Sequence, residues 1–359
     1  MFVKLTKIKK TIFISGSIIL IIVGVVGTVF FSNNNQNTEE TLPVVTNSTY
    51  DYRTEKAILT KVFNSLSNKE VYEVFKNRYS QIDQTKVHNL AHWIGTEIYS
   101  PGGMDGLLIC DEAFSYGCYH GFFIKAFEKE GKDLYQSGDK YCFGDGSQPL
   151  KYGGCIHGLG HGVLYLNGYD LEGLKSALKD CESLSSISSI NGCNNGVFME
   201  YNTRTMQSLD SGEIELRPLD NNNPLEPCNE INDKYANDCY FEQPAWWAGV
   251  YFNDFQKMVE LCEGVVEKTA KENCFGGIGR MIPVVDGYQG NKVKEICMSI
   301  SGGSYQSYCI EKSVEVLLGI GKQDSMGFCD LLSTDFAKSC HDKMNQYYCV
   351  ITNKCQTKP

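Results

Sequence analysis

Five of the six histidines lie between residues 88 and 161, at spacings that suit metal binding. They form two pairs with a single histidine between the pairs: His88 and His92, then His120, then His157 and His161. Residues four positions apart lie one turn apart on the same face of a helix, so each pair can present two imidazoles together. Imidazole is the commonest metal ligand near neutral pH, and zinc and copper sites take three or four protein ligands. The five histidines therefore predict a metal site.

Zinc or copper is the expected metal, because the pattern is rich in histidine and has no obvious carboxylate. Haem held without covalent attachment by two histidines from different helices is the alternative cofactor. Two other interpretations stay open: metal-free proton transfer or ligand binding, and a purely structural role. The chain has no H-E-x-x-H, G-x-S-x-G, Walker or C-x-x-C-H motif, so no residue is assigned as catalytic.

The sixteen cysteines indicate how the histidine-bearing elements are held. An even, high count in an exported chain predicts disulfide bonds. The cysteines fall into successive pairs, with 11 to 13 residues between the partners of most pairs. Bonds within pairs are the simplest expectation, and bonds between neighbouring repeats are the alternative. The predicted pairs are Cys110/Cys118, Cys142/Cys155, Cys181/Cys193, Cys228/Cys239, Cys262/Cys274, Cys297/Cys309, Cys329/Cys340 and Cys349/Cys355.

Similar segments flank the cysteine pairs. Apolar residues at helical intervals precede a first cysteine, as in Leu171, Leu174 and Leu178 before Cys181. A second apolar segment follows the second cysteine, and in four pairs a glycine stands three residues after it, which predicts close helix–helix packing. The predicted fold is an all-α, right-handed α-solenoid of about eight helix-loop-helix repeats of ~35 residues. A disulfide is expected within most of these repeats. A polar stretch at residues 202–227 interrupts this spacing and is expected to be a surface loop.

Alignment on the cysteines places the histidines at equivalent positions. His88, His120 and His157 lie two residues after the cysteine position, and His92 and His161 lie four residues further on. In the first repeat, residues 51–100, a lysine replaces the cysteine. Because equivalent helices of a solenoid line one wall, the five imidazoles should converge on the concave wall of the first three repeats. Charged residues at nearby or later positions suggest a polar groove or acid/base groups: Glu97, Glu200, Glu242, Arg280 and Glu311.

The N-terminus predicts a membrane anchor. Residues 1–10 are a basic tail with four lysines, and residues 11–31 contain no charge. At a rise of about 1.5 Å per residue, this run is long enough to cross a bilayer as a helix. The lysines are expected to stay in the cytoplasm, so that residues 32–50 form a flexible linker and residues 51–359 an extracytoplasmic domain of a single-pass membrane protein. A cleaved signal peptide is the alternative.

Charge narrows the range of partners. The net charge of −10 argues against nucleic acid, which binds basic surfaces. The first functional hypothesis is an extracytoplasmic metalloprotein, with a metalloenzyme as one form of it. The second is a disulfide-stabilised scaffold that binds peptides or envelope proteins in its concave groove, without catalysis. A purely structural envelope protein is the third.

Overall fold

The computed structural model describes residues 44–143, 149–205, 212 and 215–352, and the residues from Val45 onward form one compact unit. Every regular element in these ranges is helical, which confirms the predicted all-α class for this part of the chain. The handedness of the solenoid and its number of repeats remain predictions. The predicted basic tail and membrane span lie outside the described residues. Within the described ranges, no helix combines the length and the apolar character that crossing a bilayer requires.

The end of the predicted linker belongs to the folded unit. Val45 is buried, and residues 46–50 form a turn. The side-chain oxygen of Asn47 accepts a hydrogen bond from the backbone N–H of Asp83 at 2.8 Å, and Lys86 donates to the backbone oxygen of Asn47 at 3.0 Å. The folded part therefore begins a few residues before the predicted boundary at residue 51.

The described residues form fourteen α-helices. Their bounds are α1 Tyr52–Phe63, α2 Asn68–Tyr79, α3 Gln84–Gly102, α4 Gly117–Glu130, α5 Tyr135–Phe143, α6 Pro149–Asn167, α7 Leu171–Cys181, α8 Ile187–Thr203, α9 Ala236–Val250, α10 Phe255–Glu263, α11 Lys268–Val285, α12 Val293–Ser299, α13 Gly303–Gly319 and α14 Thr334–Thr352. Short 3-10 helices lie at Gly103–Ile109, Gly131–Leu134, Asp233–Tyr235 and Gln323–Leu331.

Eight of these helices form a row in which each packs on the next: α3, α4, α6, α8, α9, α11, α13 and α14. The shorter helices α5, α7, α10 and α12 each precede a helix of the row and pack on it. This alternation agrees with the predicted helix-loop-helix unit. It also brings α3, α4 and α6, which carry the five histidines, next to one another.

Helix α7 illustrates how the sequence forms the outer elements. The Asp170 side chain caps its first turn by accepting a hydrogen bond from the backbone N–H of Gly173 at 2.7 Å. Leu174, Ala177 and Leu178 are buried on one face, as the apolar spacing predicts. The helix ends at Cys181, whose disulfide joins it to α8.

Seven disulfides join the partners that the spacing predicts, and none of the described bonds crosses between repeats. The bonds are Cys110–Cys118, Cys142–Cys155, Cys181–Cys193, Cys228–Cys239, Cys262–Cys274, Cys297–Cys309 and Cys329–Cys340. Cys349 is also disulfide-bonded, but its predicted partner Cys355 lies outside the described residues. The second cysteine of each of the seven pairs lies in a helix of the row. This many disulfides indicates an oxidising, extracytoplasmic location.

Two of the recurring glycines bring a neighbouring helix into backbone contact with a histidine-bearing helix. A Cβ atom at Gly121 of α4 would lie 1.7 Å from the carbonyl oxygen of His92 on α3. A Cβ atom at Gly196 of α8 would lie 1.9 Å from the carbonyl oxygen of His157 on α6. Only glycine fits at such distances, so the predicted packing role is confirmed at both positions.

The sequence predicts that the polar stretch between α8 and α9 is a surface loop, but part of this stretch is buried against the helices. Arg217 is buried with its guanidinium carbon 3.8 Å from the ring centroid of Trp246, and the Trp246 indole donates to the Arg217 carbonyl at 2.8 Å. Asn89 of α3 donates to the Gly212 carbonyl at 3.0 Å. The stretch therefore packs against the row of helices, because a cation–π contact and two hydrogen bonds to row helices anchor it.

Candidate metal centre

The five predicted histidines form one continuous cluster across α3, α4 and α6. Their ring centroids lie 4.2–6.1 Å apart for the neighbouring pairs, from His120–His161 at the short end to His92–His161 at the long end. His92, His120 and His161 are buried, whereas His88 and His157 are partly exposed. Two groups of three histidines within the cluster could hold a metal ion, and His120 belongs to both.

The first group consists of His88, His92 and His120. Nε2 of His92 lies 2.9 Å from Nε2 of His88 and 3.0 Å from Nδ1 of His120. The planes of the three rings are inclined to one another by 70°, 78° and 89°. Because an imidazole lone pair lies in the plane of its ring, three such rings can approach one point from three directions.

The second group consists of His120, His157 and His161. Nε2 of His161 lies 3.2 Å from Nε2 of His157, and the two rings are inclined by 60°. His120 and His161, by contrast, are stacked with an interplanar angle of 14°. Two nearly parallel rings cannot both direct in-plane lone pairs at one ion unless a ring rotates. The His157–His161 pair is therefore the well-oriented part of this group, and His120 fits the first group better.

A strained loop orients His88. The backbone oxygen of Phe114 accepts a hydrogen bond from Nδ1 of His88 at 2.7 Å, which leaves Nε2 of His88 with a lone pair. Phe114, Ser115 and Tyr116 all have left-handed backbone conformations, with φ of 52°, 56° and 64°. Such conformations are unfavourable for side chains of this size and are often found at functional sites. The Cys110–Cys118 disulfide closes this loop, so a covalent bond supports the strained backbone at the cluster.

A buried carboxylate orients His161. Oε2 of Glu200 accepts from Nδ1 of His161 at 2.8 Å, and Oε1 of Glu200 accepts from the Tyr169 hydroxyl at 2.6 Å. The Thr205 hydroxyl also donates to Oε2. Both His161 and Glu200 are fully buried. A carboxylate that holds one imidazole nitrogen fixes the other as a lone-pair donor, which is the usual arrangement behind metal-binding histidines.

Burial lowers the pKa of four histidines in the cluster. Loss of hydration is the largest cause for each, because it disfavours the charged imidazolium. The pKa of His88 falls to about 4, and the pKa values of His92, His120 and His157 fall well below the usual range. Neighbouring imidazoles act in the same direction. The neutral ring is the form that binds a metal, so these side chains are already in their ligand form at neutral pH.

Two ring nitrogens in the cluster are unsatisfied. Nδ1 of His92 and Nε2 of His120 are buried and have no hydrogen-bond partner among the described residues. Buried polar atoms in folded proteins nearly always have a partner, and an ordered ion or water commonly supplies it. The two unsatisfied atoms are the second nitrogens of two rings whose other nitrogens, Nε2 of His92 and Nδ1 of His120, face each other in the first group.

Apart from Glu200, the other predicted site residues make no hydrogen bond to the imidazoles, although the positive charge of Arg280 helps to lower the pKa of His157. Glu97 is half-buried on α3 and makes no hydrogen bond to the five histidines. Glu242 forms a two-pronged ion pair with Arg280, at 2.8 and 2.5 Å. Glu311 pairs with Lys343 at 2.9 Å. Among these residues, the ion pairs join consecutive helices of the row, and only Glu200 touches a histidine.

The sequence interpretation did not assign Met199 to the site. Its Sδ atom lies 3.4 Å from Nε2 of His157. Met199 occupies the position in its repeat that His92 and His161 occupy in theirs, so the cysteine alignment could have identified it. The Phe114 carbonyl was also missed, and no sequence signal could reveal it, because it depends on the left-handed loop.

Comparison with known proteins gave no match: no protein family, no curated protein sequence and no solved structure is significantly similar to this chain.

Proposed function

We propose that this protein binds zinc or copper outside the cytoplasm, in a centre whose primary ligands are His88, His92 and His120. The observation that carries the proposal is the convergence of three ring nitrogens, in which Nε2 of His88 and Nδ1 of His120 lie 2.9 and 3.0 Å from Nε2 of His92. With metal–nitrogen distances of about 2.0–2.1 Å, the nitrogens of a tetrahedral site lie about 3.3 Å apart. The two short separations from Nε2 of His92 are within a few tenths of an ångström of that spacing.

Hydrogen-bond chemistry supports an ion among these nitrogens. The Phe114 carbonyl fixes the Nε2 atom of His88 as a lone pair. One proton on Nε2 of His92 can serve the contacts to His88 and His120 only by being shared. A cation that accepts all three lone pairs removes the repulsion between facing nitrogens.

The close packing of the rings favours a metal ion over haem. The ring centroids of the first group lie 4.4–5.3 Å apart, and these rings contact one another directly. A porphyrin would have to separate the rings of its two axial ligands. A single ion needs no such space.

The arrangement of residues around the site favours a metal-binding role over metal-dependent hydrolysis. Three protein ligands leave a fourth position of a tetrahedral ion open, and the partly exposed His88 gives that position a route to solvent. Hydrolytic centres also need a carboxylate or similar base beside the bound water. Glu200 uses both oxygens to hold His161, Tyr169 and Thr205, and Glu97 makes no contact with the ligands. We therefore assign a role in metal binding, such as sequestration or transfer.

Elemental analysis of the full chain, purified oxidised in a mild detergent, tests the proposal. After incubation with zinc or copper and removal of loosely bound ions, we expect about one equivalent or more per chain. The double variant His92→Gln, His120→Gln should retain much less. His341→Gln is the matched control, because His341 is half-buried on α14 and pairs with Asp330 rather than with the cluster.

Less than about 0.2 equivalents in the wild-type chain, under conditions where it is folded by circular dichroism, would contradict the proposal. Equal metal content in the wild type and the double variant would also contradict it. If the metal is missing but the chain captures a defined peptide or envelope protein from membranes, the scaffold hypothesis is favoured. Because residues 11–31 are predicted to anchor the chain in a membrane, the membrane fraction is the material from which a partner should be captured.

A further inference from the structure

We propose that His157, His161 and Met199 form a second metal position, selective for Cu(I), beside the first group. The inference extends the proposed metal centre and rests on the same histidine cluster. It requires ligands that the first position does not use, so each position can fail alone.

The three donor atoms are already close to coordination spacing. Nε2 of His157 lies 3.2 Å from Nε2 of His161 and 3.4 Å from Sδ of Met199. For metal–nitrogen and metal–sulfur distances of about 2.0 and 2.3 Å, the corresponding separations are about 3.3 and 3.5 Å. A single proton on Nε2 of His157 can serve both short contacts only by being shared.

The orientation of His161 is fixed independently of any metal. The buried Glu200 carboxylate accepts a hydrogen bond from Nδ1–H, so Nε2 of His161 faces His157 with a lone pair. Tyr169 and Thr205 hold the same carboxylate. A second shell of this kind raises the basicity of the ligand and restricts its rotation.

The donor set selects the ion. Two imidazoles and a thioether are neutral, and the thioether is a soft ligand that suits Cu(I) and binds zinc poorly. The Glu200 carboxylate holds His161, and the positive charge of Arg280, which acts on His157 and is paired with Glu242, further disfavours a doubly charged ion. A neutral ligand set in a mostly buried site favours a singly charged ion, because less charge has to be desolvated. Met199 and His157 are only half-buried, which gives Cu(I) a route of entry.

Anaerobic competition with a Cu(I) chelator of known affinity, together with copper X-ray absorption, tests the inference on the full oxidised chain. Wild type should bind Cu(I) with a sulfur scatterer at about 2.3 Å. Met199→Leu should lose that scatterer and weaken Cu(I) binding by roughly tenfold to 100-fold. Met298→Leu is the control, because Met298 is exposed on α12 and should change neither measurement.

The outcomes separate the two positions. Loss of the sulfur scatterer in Met199→Leu, with zinc content unchanged, supports the second position. Retention of Cu(I) and its sulfur scatterer in His92→Gln, His120→Gln supports it even if the first position fails. Cu(I) bound only to nitrogen in the wild type, or unchanged affinity in Met199→Leu, would overturn the inference and leave the first position standing.

Discussion

At the scale of single residues, the partner of one ring nitrogen decides which nitrogen of a histidine can bind an ion. Nδ1–H of His88 donates a hydrogen bond to the Phe114 carbonyl, and Nδ1–H of His161 donates one to Glu200. Each group of histidines therefore contains one imidazole whose tautomer and orientation are fixed. The i, i+4 spacing predicted that the rings would meet, because helix geometry sets that distance. It could not predict the tautomers, because these depend on a loop carbonyl and on a carboxylate from another helix.

Asp238, at the start of α9, gives a residue-scale prediction about pH. Burial raises its pKa to about 6, although a hydrogen bond from Asn194 of α8 at 2.9 Å acts against this. Between pH 4 and 6 the folded chain therefore holds a proton that the unfolded chain has released. This group's contribution to the free energy of unfolding falls as pH rises through that window, by about 1–3 kcal/mol in total, and is low above it.

Urea unfolding of metal-free wild type and Asp238→Asn at pH 4, 5, 6 and 7 measures this contribution. The stability of the variant relative to wild type should rise with pH up to about 6 and then stay constant. Asp233→Asn, at an exposed position in the preceding turn, should follow the wild type at every pH. A difference between wild type and Asp238→Asn that is independent of pH would show the expectation to be wrong.

At the scale of elements, two backbone contacts set the spacing of the ligands. Gly121 places α4 against the His92 carbonyl, and Gly196 places α8 against the His157 carbonyl. The sequence predicted the packing role of these glycines from their fixed distance after the cysteines. It also predicted the buried face of α7, whose apolar periodicity is strong. The packing of residues 215–227 against Trp246 and Trp247 was not predictable, since no periodic pattern marks an irregular segment.

Gly121→Ala tests the element-scale argument. The added methyl group would meet backbone that cannot move away as a flexible side chain could, so α3 and α4 must separate. We expect a loss of about 1–3 kcal/mol in the free energy of unfolding and a clear fall in metal content. Gly153→Ala is the matched control within α6, because a Cβ there meets nothing within 4 Å. It should be neutral or slightly stabilising, because alanine has the higher helix propensity.

At the scale of the whole molecule, the fold is a row of helices. From α4 onward, a disulfide ties each described helix of the row to the segment that precedes it. The cysteine spacing predicted the seven observed bonds because short loops of similar length leave few other partners within reach. Handedness was beyond the reach of sequence reasoning, since it depends on small rotations between neighbouring helices. Ion pairs between consecutive helices, such as Glu242–Arg280 and Glu311–Lys343, continue the polar positions beyond the histidines.

Two disulfides that close loops of equal length can show whether the copper site depends on its own disulfide or on the stability of the whole row. Cys181–Cys193 and Cys297–Cys309 each span 12 residues, so the chain-entropy model assigns each a similar contribution, roughly 3 kcal/mol. Replacing either pair with alanine should lower the urea midpoint by a similar amount. Only loss of Cys181–Cys193 should reduce Cu(I) binding, because that bond fixes the start of α8, which carries Met199 and Glu200. Equal losses of copper in both variants would indicate that the site depends on the whole row.

The order of the bonds also bears on how the chain can mature. Each described disulfide joins a cysteine to the next one along the sequence, over 8 to 13 residues. An oxidase that joins consecutive thiols as they emerge from a translocation channel would therefore form each native bond at the first attempt. Each stapled unit could be completed before the next one is exported. Reshuffling of wrong pairs, the slow step for many cysteine-rich proteins, has no required place in such a pathway.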